Sequence, residues 1–131
     1  YTAQAATPHL RETAGCLVFV GSFAGCFPYP NSPVYGASKW WTRGSALSLA
    51  AVLGEQDVAV TLVNPSEVRT EFGSSYDTPA REQHDPGTVT EPETIADAIA
   101  FAARQEPPDA VTELDLYRRN KFAGFAKSGS M

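Results

Sequence analysis

At 131 residues and 43% apolar composition, the chain is long enough for one domain with a real core and too short for two ordinary ones. Its net charge of -5 argues against a nucleic-acid binder driven by phosphate contacts. Two cysteines, Cys16 and Cys26, are too few for a disulfide framework and read as small apolar packing residues. No stretch approaches the length of a membrane span and no signal peptide is visible, so a soluble, cytoplasmic chain is expected. The sequence opens at Tyr1 without an initiator methionine, which suggests a fragment or a processed product.

Residues 1–15 are alanine-rich and end in Gly15, the pattern of the last turns of a helix with a glycine stop. Cys16 to Val20 is a continuous apolar run, as in a strand buried on both faces of a parallel sheet. Gly21 to Gly25 turns the chain out of it, and a proline-rich loop follows from Phe27. Ser32-Pro33 marks a helix start, with serine at the N-cap and proline in the first turn. That helix should run to about Leu53, stopped by Gly54. Its apolar residues, Trp40, Trp41 and Val52 among them, surround the axis, so more than one face needs cover.

Val58 to Val63 reads as a second buried strand, closed by Asn64-Pro65. Residues 66–90 are loop-like, with Gly73, Ser74, Ser75 and Pro79, and so long an irregular segment is usually a functional lid or disordered. Thr90 to Glu93 resembles a capping box opening a helix to about Arg104, with Ile95, Ile99 and Ala102 inward. Thr112 to Tyr117 alternates, as an edge strand does. Residues 118–131 read as a solvated, flexible tail. The predicted architecture is therefore α/β: about three parallel strands with flanking helices, incomplete on its N-terminal side.

The chemistry concentrates on three residues. Tyr35 and Lys39 stand four apart, on one face of the predicted helix. A free phenol, with a pKa of about 10, is a poor proton carrier at neutral pH, and a nearby ammonium favours its phenolate. Ser22, thirteen positions before Tyr35 at the end of the first strand, could hold a substrate oxygen against the phenol. Such a set suits proton transfer to or from an alcohol or carbonyl oxygen. Tyr-x-x-x-Lys alone is common on helices, where it is usually an exposed tyrosine packed on a lysine stem. The order of elements around it gives it weight.

Gly21-Ser22-Phe23-Ala24-Gly25, Tyr35 to Lys39 and the run Asn64-Pro65-Ser66-Glu67-Val68-Arg69-Thr70 together resemble the C-terminal half of a short-chain dehydrogenase/reductase, over residues 1–117. The resemblance implies the catalytic half of a doubly wound, Rossmann-like NAD(P)-binding domain. It implies hydride transfer between NAD or NADP and a carbonyl or secondary alcohol. Tyr35 would be the acid/base, Lys39 would support it and bind the nicotinamide ribose, and Ser22 would orient the substrate oxygen. Pro65, Ser66, Val68 and Thr70 would line the nicotinamide. A homodimer or homotetramer through helix 33–53 would follow. Phe27, Tyr29, Phe72 and Tyr76 suggest a partly apolar substrate pocket.

Two departures stand beside this. Ser66 occupies a position where the family commonly has glycine. The glycine-rich phosphate loop of the first strand-helix turn has no counterpart in these residues. A truncated, non-enzymatic domain or a pseudoenzyme that cannot hold a dinucleotide alone is therefore the alternative. The extended branch acting on nucleotide sugars is disfavoured by the short segment after Thr70. His9 and His84 lack partners at ligand spacing, so no metal is expected. Ser22 stands second in its glycine-bounded segment, not third, so a nucleophile elbow fails on register.

Overall fold

A computed structural model describes residues 1–72 and 78–123. Helix α1 (Thr2–Thr13) ends at Ala14, which takes the left-handed conformation at φ 49° and donates its N–H to the Leu10 carbonyl. The expected glycine stop is thus displaced by one residue. Gly15 follows it closely packed: a Cβ there would lie 2.8 Å from Leu10 Cδ2, so the leucine side chain would have to shift. Leu10 in turn packs on the core formed by Leu53, Val58 and Val60.

Strands β1 (Cys16–Val20) and β2 (Ala59–Pro65) pair in parallel, with Cys16 opposite Ala59 and Val20 opposite Val63. Strand β3 (Glu113–Leu116) adds in parallel to the other side of β2, giving the order β1-β2-β3. Every residue of β2 from Val60 to Pro65 is buried. Successive side chains point to opposite faces, so the sheet is covered on both. β1 departs from the expected burial: none of its residues is fully buried and Val20 is exposed. It is the sheet's edge among the described residues, with one backbone side unpaired.

Helix α2 (Pro33–Gly54) joins β1 to β2 over the expected range, although the Ser32 side chain makes no capping hydrogen bond. Gly36, Ala46 and Leu53 are its buried residues. Val34, Trp40, Trp41 and Val52 stay exposed, so one face packs on the sheet and the rest of its apolar surface is uncovered. The segment after β2 carries a short helix α3 (Ala80–Gln83) and a bridge between Val68 and Thr90. Gly73, Ser74, Ser75 and Tyr76 lie outside the described residues.

Helix α4 (Pro92–Ala103) packs on β1 and β2 and buries Ile95, Ala98 and Ala102. The capping box expected at Thr90 does not form. Glu91 is the N-cap residue, and its carboxylate accepts from Arg69 Nε at 2.8 Å instead of from the helix. The architecture is α/β, a three-stranded parallel sheet with flanking helices, and no helix among the described residues is long and apolar enough to cross a membrane.

The first residues of the expected tail make contacts with the rest of the chain. Arg118 and Lys121 both pair with Glu67, and the Phe122 ring lies 5.9 Å from Phe23 and 5.4 Å from Phe27. Aromatic contacts and charge pairing offset the entropy of ordering this segment. Residues 124–131 lie outside the described residues.

Candidate active site

Ser22 leaves β1 in extended conformation and caps the one-turn 3-10 helix Phe23–Gly25, its Oγ accepting the Ala24 N–H at 3.1 Å. The hydroxyl proton remains available for donation. Tyr35 and Lys39 follow on the first turns of α2. The ammonium lies 5.7 Å from the Tyr35 ring centroid and donates to the Val20 carbonyl at 3.4 Å. That bond ties the lysine to the end of the strand from which Ser22 emerges.

The close approach of these elements rests on one glycine. A Cβ on Gly25 would stand 2.7 Å from the Lys39 carbonyl oxygen, so any side chain there would push the serine turn and the helix apart. Farther along α2, Arg43 grips Glu113 of β3 through two nitrogens, at 2.7 and 3.1 Å. Buried Asn64 donates to both Glu113 and Asp115 at 2.8 Å. These bonds fix the helix against the start of β3 and tie β3 to the carboxyl end of β2.

Ser22, Tyr35, Lys39, Pro65, Val68 and Thr70 all line one open cleft of about 770 Å³, as does Ser66. Its size falls within the range of roughly 300–1,000 Å³ usual for ligand and cofactor sites. Ser66 carries no left-handed strain, since Ala14 and Asp57 are the non-glycine residues of positive φ among those described. Its Oγ accepts the Arg118 N–H at 3.0 Å, a bond glycine could not make. Thr70 Oγ1 accepts the Phe72 N–H at 3.2 Å.

Of the expected apolar pocket residues, Tyr29 and Phe72 flank Tyr35, with ring centroids at 5.7 and 6.0 Å. Phe27 does not line the cleft: it stacks on Phe23 at 4.7 Å and joins an aromatic cluster with Tyr117 and Phe122. Burial, with Tyr35 and Glu67 nearby, pushes the Tyr29 phenol up, so it stays protonated at neutral pH.

Among the cleft residues not singled out from the sequence are the oppositely charged Glu67 and Lys121. Burial opposes ionisation of Glu67, but hydrogen bonds from Lys121, from its own backbone and from Arg118 prevail and hold it down at about 2. An acid in the segment after Pro65 and the basic run from Arg118 were the available signals. Cys26, read as a packing residue, sits beside two carboxylates of β3. Its Sγ and a carboxylate oxygen each of Glu113 and Asp115 lie within 4.8 Å of one another. Glu113 already accepts from Arg43 and Asn64 there, and burial raises the Cys26 thiol.

A family model described as short chain dehydrogenase matches residues 1–80. The chain belongs to the short-chain dehydrogenase family. The chain is 34% identical over 109 residues to an NADP-dependent 3-hydroxy acid dehydrogenase of Salmonella typhi, a match covering 79% of the chain and 44% of that relative. It is 30% identical over 124 residues to a serine 3-dehydrogenase of Rhizobium radiobacter, covering 90% of the chain and 49% of that protein. The closed form of a serine dehydrogenase complexed with NADP+ superposes with a TM-score of 0.78 at 28% identity, over 88% of this chain and 49% of that one. The chain therefore spans somewhat under half the length of these relatives.

Proposed function

We propose that this chain forms the nicotinamide and substrate end of an NAD- or NADP-dependent oxidoreductase acting on a carbonyl or secondary alcohol. The observation that carries the reading is the shared cleft of Ser22, Tyr35 and Lys39, with the ammonium beside the phenol and tied to Val20 O. Bound there, a nicotinamide would supply or accept the hydride. Lys39 and Thr70 offer donors suited to its ribose and carboxamide, and the cleft is wide enough for that half of a dinucleotide.

The chain's own residues then handle the proton. Ser22 donates a hydrogen bond to the substrate oxygen and holds it at the Tyr35 hydroxyl. Tyr35 gives its proton to a carbonyl oxygen in reduction, or takes the hydroxyl proton in oxidation. Lys39 steadies the negative charge left on the tyrosine oxygen. Tyr29 and Phe72 set aromatic rings beside Tyr35, giving the cleft apolar surface next to the reacting oxygen.

The two relatives named above are called after a 3-hydroxy acid and after serine, which supports a small hydroxy compound as substrate. The uncovered apolar face of α2, with Trp40, Trp41 and Val52, supports association of two or four copies through helix 33–53.

The test is a nicotinamide assay on the native full-length protein, following absorbance change with NAD+ and NADP+ against small secondary alcohols. Calorimetric titration of the same protein with NADH and NADPH runs beside it. Binding with turnover supports the reading. Failure to bind either dinucleotide would leave the non-enzymatic alternative standing.

A further inference from the structure

The oxidoreductase reading leaves unexplained a charge arrangement on the far wall of the cleft. Glu67 is met by two cations: Arg118 Nε lies 3.0 Å from one carboxylate oxygen, and the Lys121 ammonium pairs with the other. The trio carries one excess positive charge. It sits on a chain of net charge -5, so the local excess runs against the whole.

Lys121 is the member that faces the site. Glu67 and Lys121 both line the cleft that holds Ser22, Tyr35 and Lys39. The Lys121 ammonium lies 4.4 Å from the Phe23 centroid, and Phe23 is the residue next to Ser22. Its side chain is only 11% exposed. An ammonium has three donors, of which the Glu67 carboxylate occupies one. Arg118 is spent otherwise: its remaining side-chain bond goes to Asn120 Oδ1 at 2.8 Å, and its backbone N–H goes to Ser66 Oγ.

A half-desolvated positive charge inside a cleft with aromatic walls attracts an anion more strongly than it would in water. We propose that Lys121 is the specificity residue for a substrate carrying an anionic group, a carboxylate or its equivalent, beside the hydroxyl or carbonyl that Ser22 and Tyr35 engage. Glu67 and Arg118 position it. The pair with Glu67 holds the ammonium over Phe23, and the second cation keeps the carboxylate from cancelling its charge. The docked segment 117–123 thereby forms part of the substrate site. This inference rests on the oxidoreductase reading for the location of the reacting oxygen.

The experiment uses the native full-length protein with 3-hydroxybutyrate and methyl 3-hydroxybutyrate, a pair differing in charge and little else. Unmodified protein should favour the acid. Lys121→Met keeps the stem over Phe23 and removes the charge. The acid-to-ester ratio of kcat/KM should fall about 30-fold, carried by KM, as expected for one lost charged hydrogen bond. Lys121→Arg should restore most of the ratio. A merely structural role for Lys121 would lower both substrates together and leave the ratio in place, which would overturn the proposal, as would a ratio near one in unmodified protein.

If neither compound is turned over, the hydride-transfer reading fails. The anion reading is then decided by calorimetric binding of the same two compounds to unmodified and Lys121→Met protein. Acid-selective binding lost in the variant supports it. Equal binding of acid and ester by both proteins overturns it.

Discussion

Gly25 and Lys39 stand at a separation that excludes any side chain on Gly25: a Cβ would fall 2.7 Å from the Lys39 carbonyl oxygen and 2.9 Å from its carbonyl carbon. The serine turn and the helix carrying Tyr35 are therefore set against each other by backbone contact. Both obstructing atoms are main chain, so no rotamer change relieves them.

Gly25→Ala should accordingly destabilise the protein by about 2 kcal/mol, the usual scale for overpacking. Moving α2 away from Ser22 should also lower kcat/KM by tenfold or more, since small displacements of catalytic groups cost disproportionately. Chemical denaturation and steady-state kinetics on the one variant check both. A variant as stable and active as the parent would contradict the close approach.

Arg43 and Glu113 hold the same helix to β3 through a two-nitrogen grip. Lysine cannot reproduce that fork. Arg43→Lys is predicted to lose about 1 kcal/mol, a modest figure because the pair is part-exposed. The thermal midpoint should fall by about 4 °C, between the scales for smaller and larger domains. An unchanged midpoint would show that the pair contributes nothing.

Glu67 gives a pH dependence. Its value is held at about 2, below the ordinary 4.5, so the unfolded chain takes up the proton more readily than the folded one. The stabilisation from its two cations is full above about 4.5 and is lost as the pH falls towards 2. Comparing unmodified protein with Glu67→Gln by thermal melting should show a gap in midpoint at pH 7 that narrows steadily below pH 4.5. A gap independent of pH across that window would refute the assignment to Glu67 ionisation.

Element order, the bounds of β1 and α2, and the gathering of Ser22, Tyr35, Lys39 and Pro65–Thr70 around one cleft were legible in the sequence. Each of these features is local, carried by an apolar run, a proline at a helix start or a tyrosine and lysine one turn apart. What escaped depends on distant partners. Glu67 and Lys121 are 54 positions apart, and a basic tail looks the same in sequence whether it is docked or solvated.

Glu91 takes the N-cap position expected of Thr90, and Arg69, far upstream, holds its carboxylate. Phe27 joins an aromatic cluster with Phe23, two of whose members, Tyr117 and Phe122, lie far along the chain. Tertiary contacts decided each case.

The central claim is that Tyr35 moves the proton in this cleft. Its most direct test is kcat/KM of Tyr35→Phe in the native full-length protein, measured with dinucleotide affinity and thermal midpoint. Removing one hydroxyl that acts as general acid/base should lower kcat/KM by about 10²–10⁴-fold, while dinucleotide binding and the fold persist. Activity within tenfold of the unmodified protein would contradict the account.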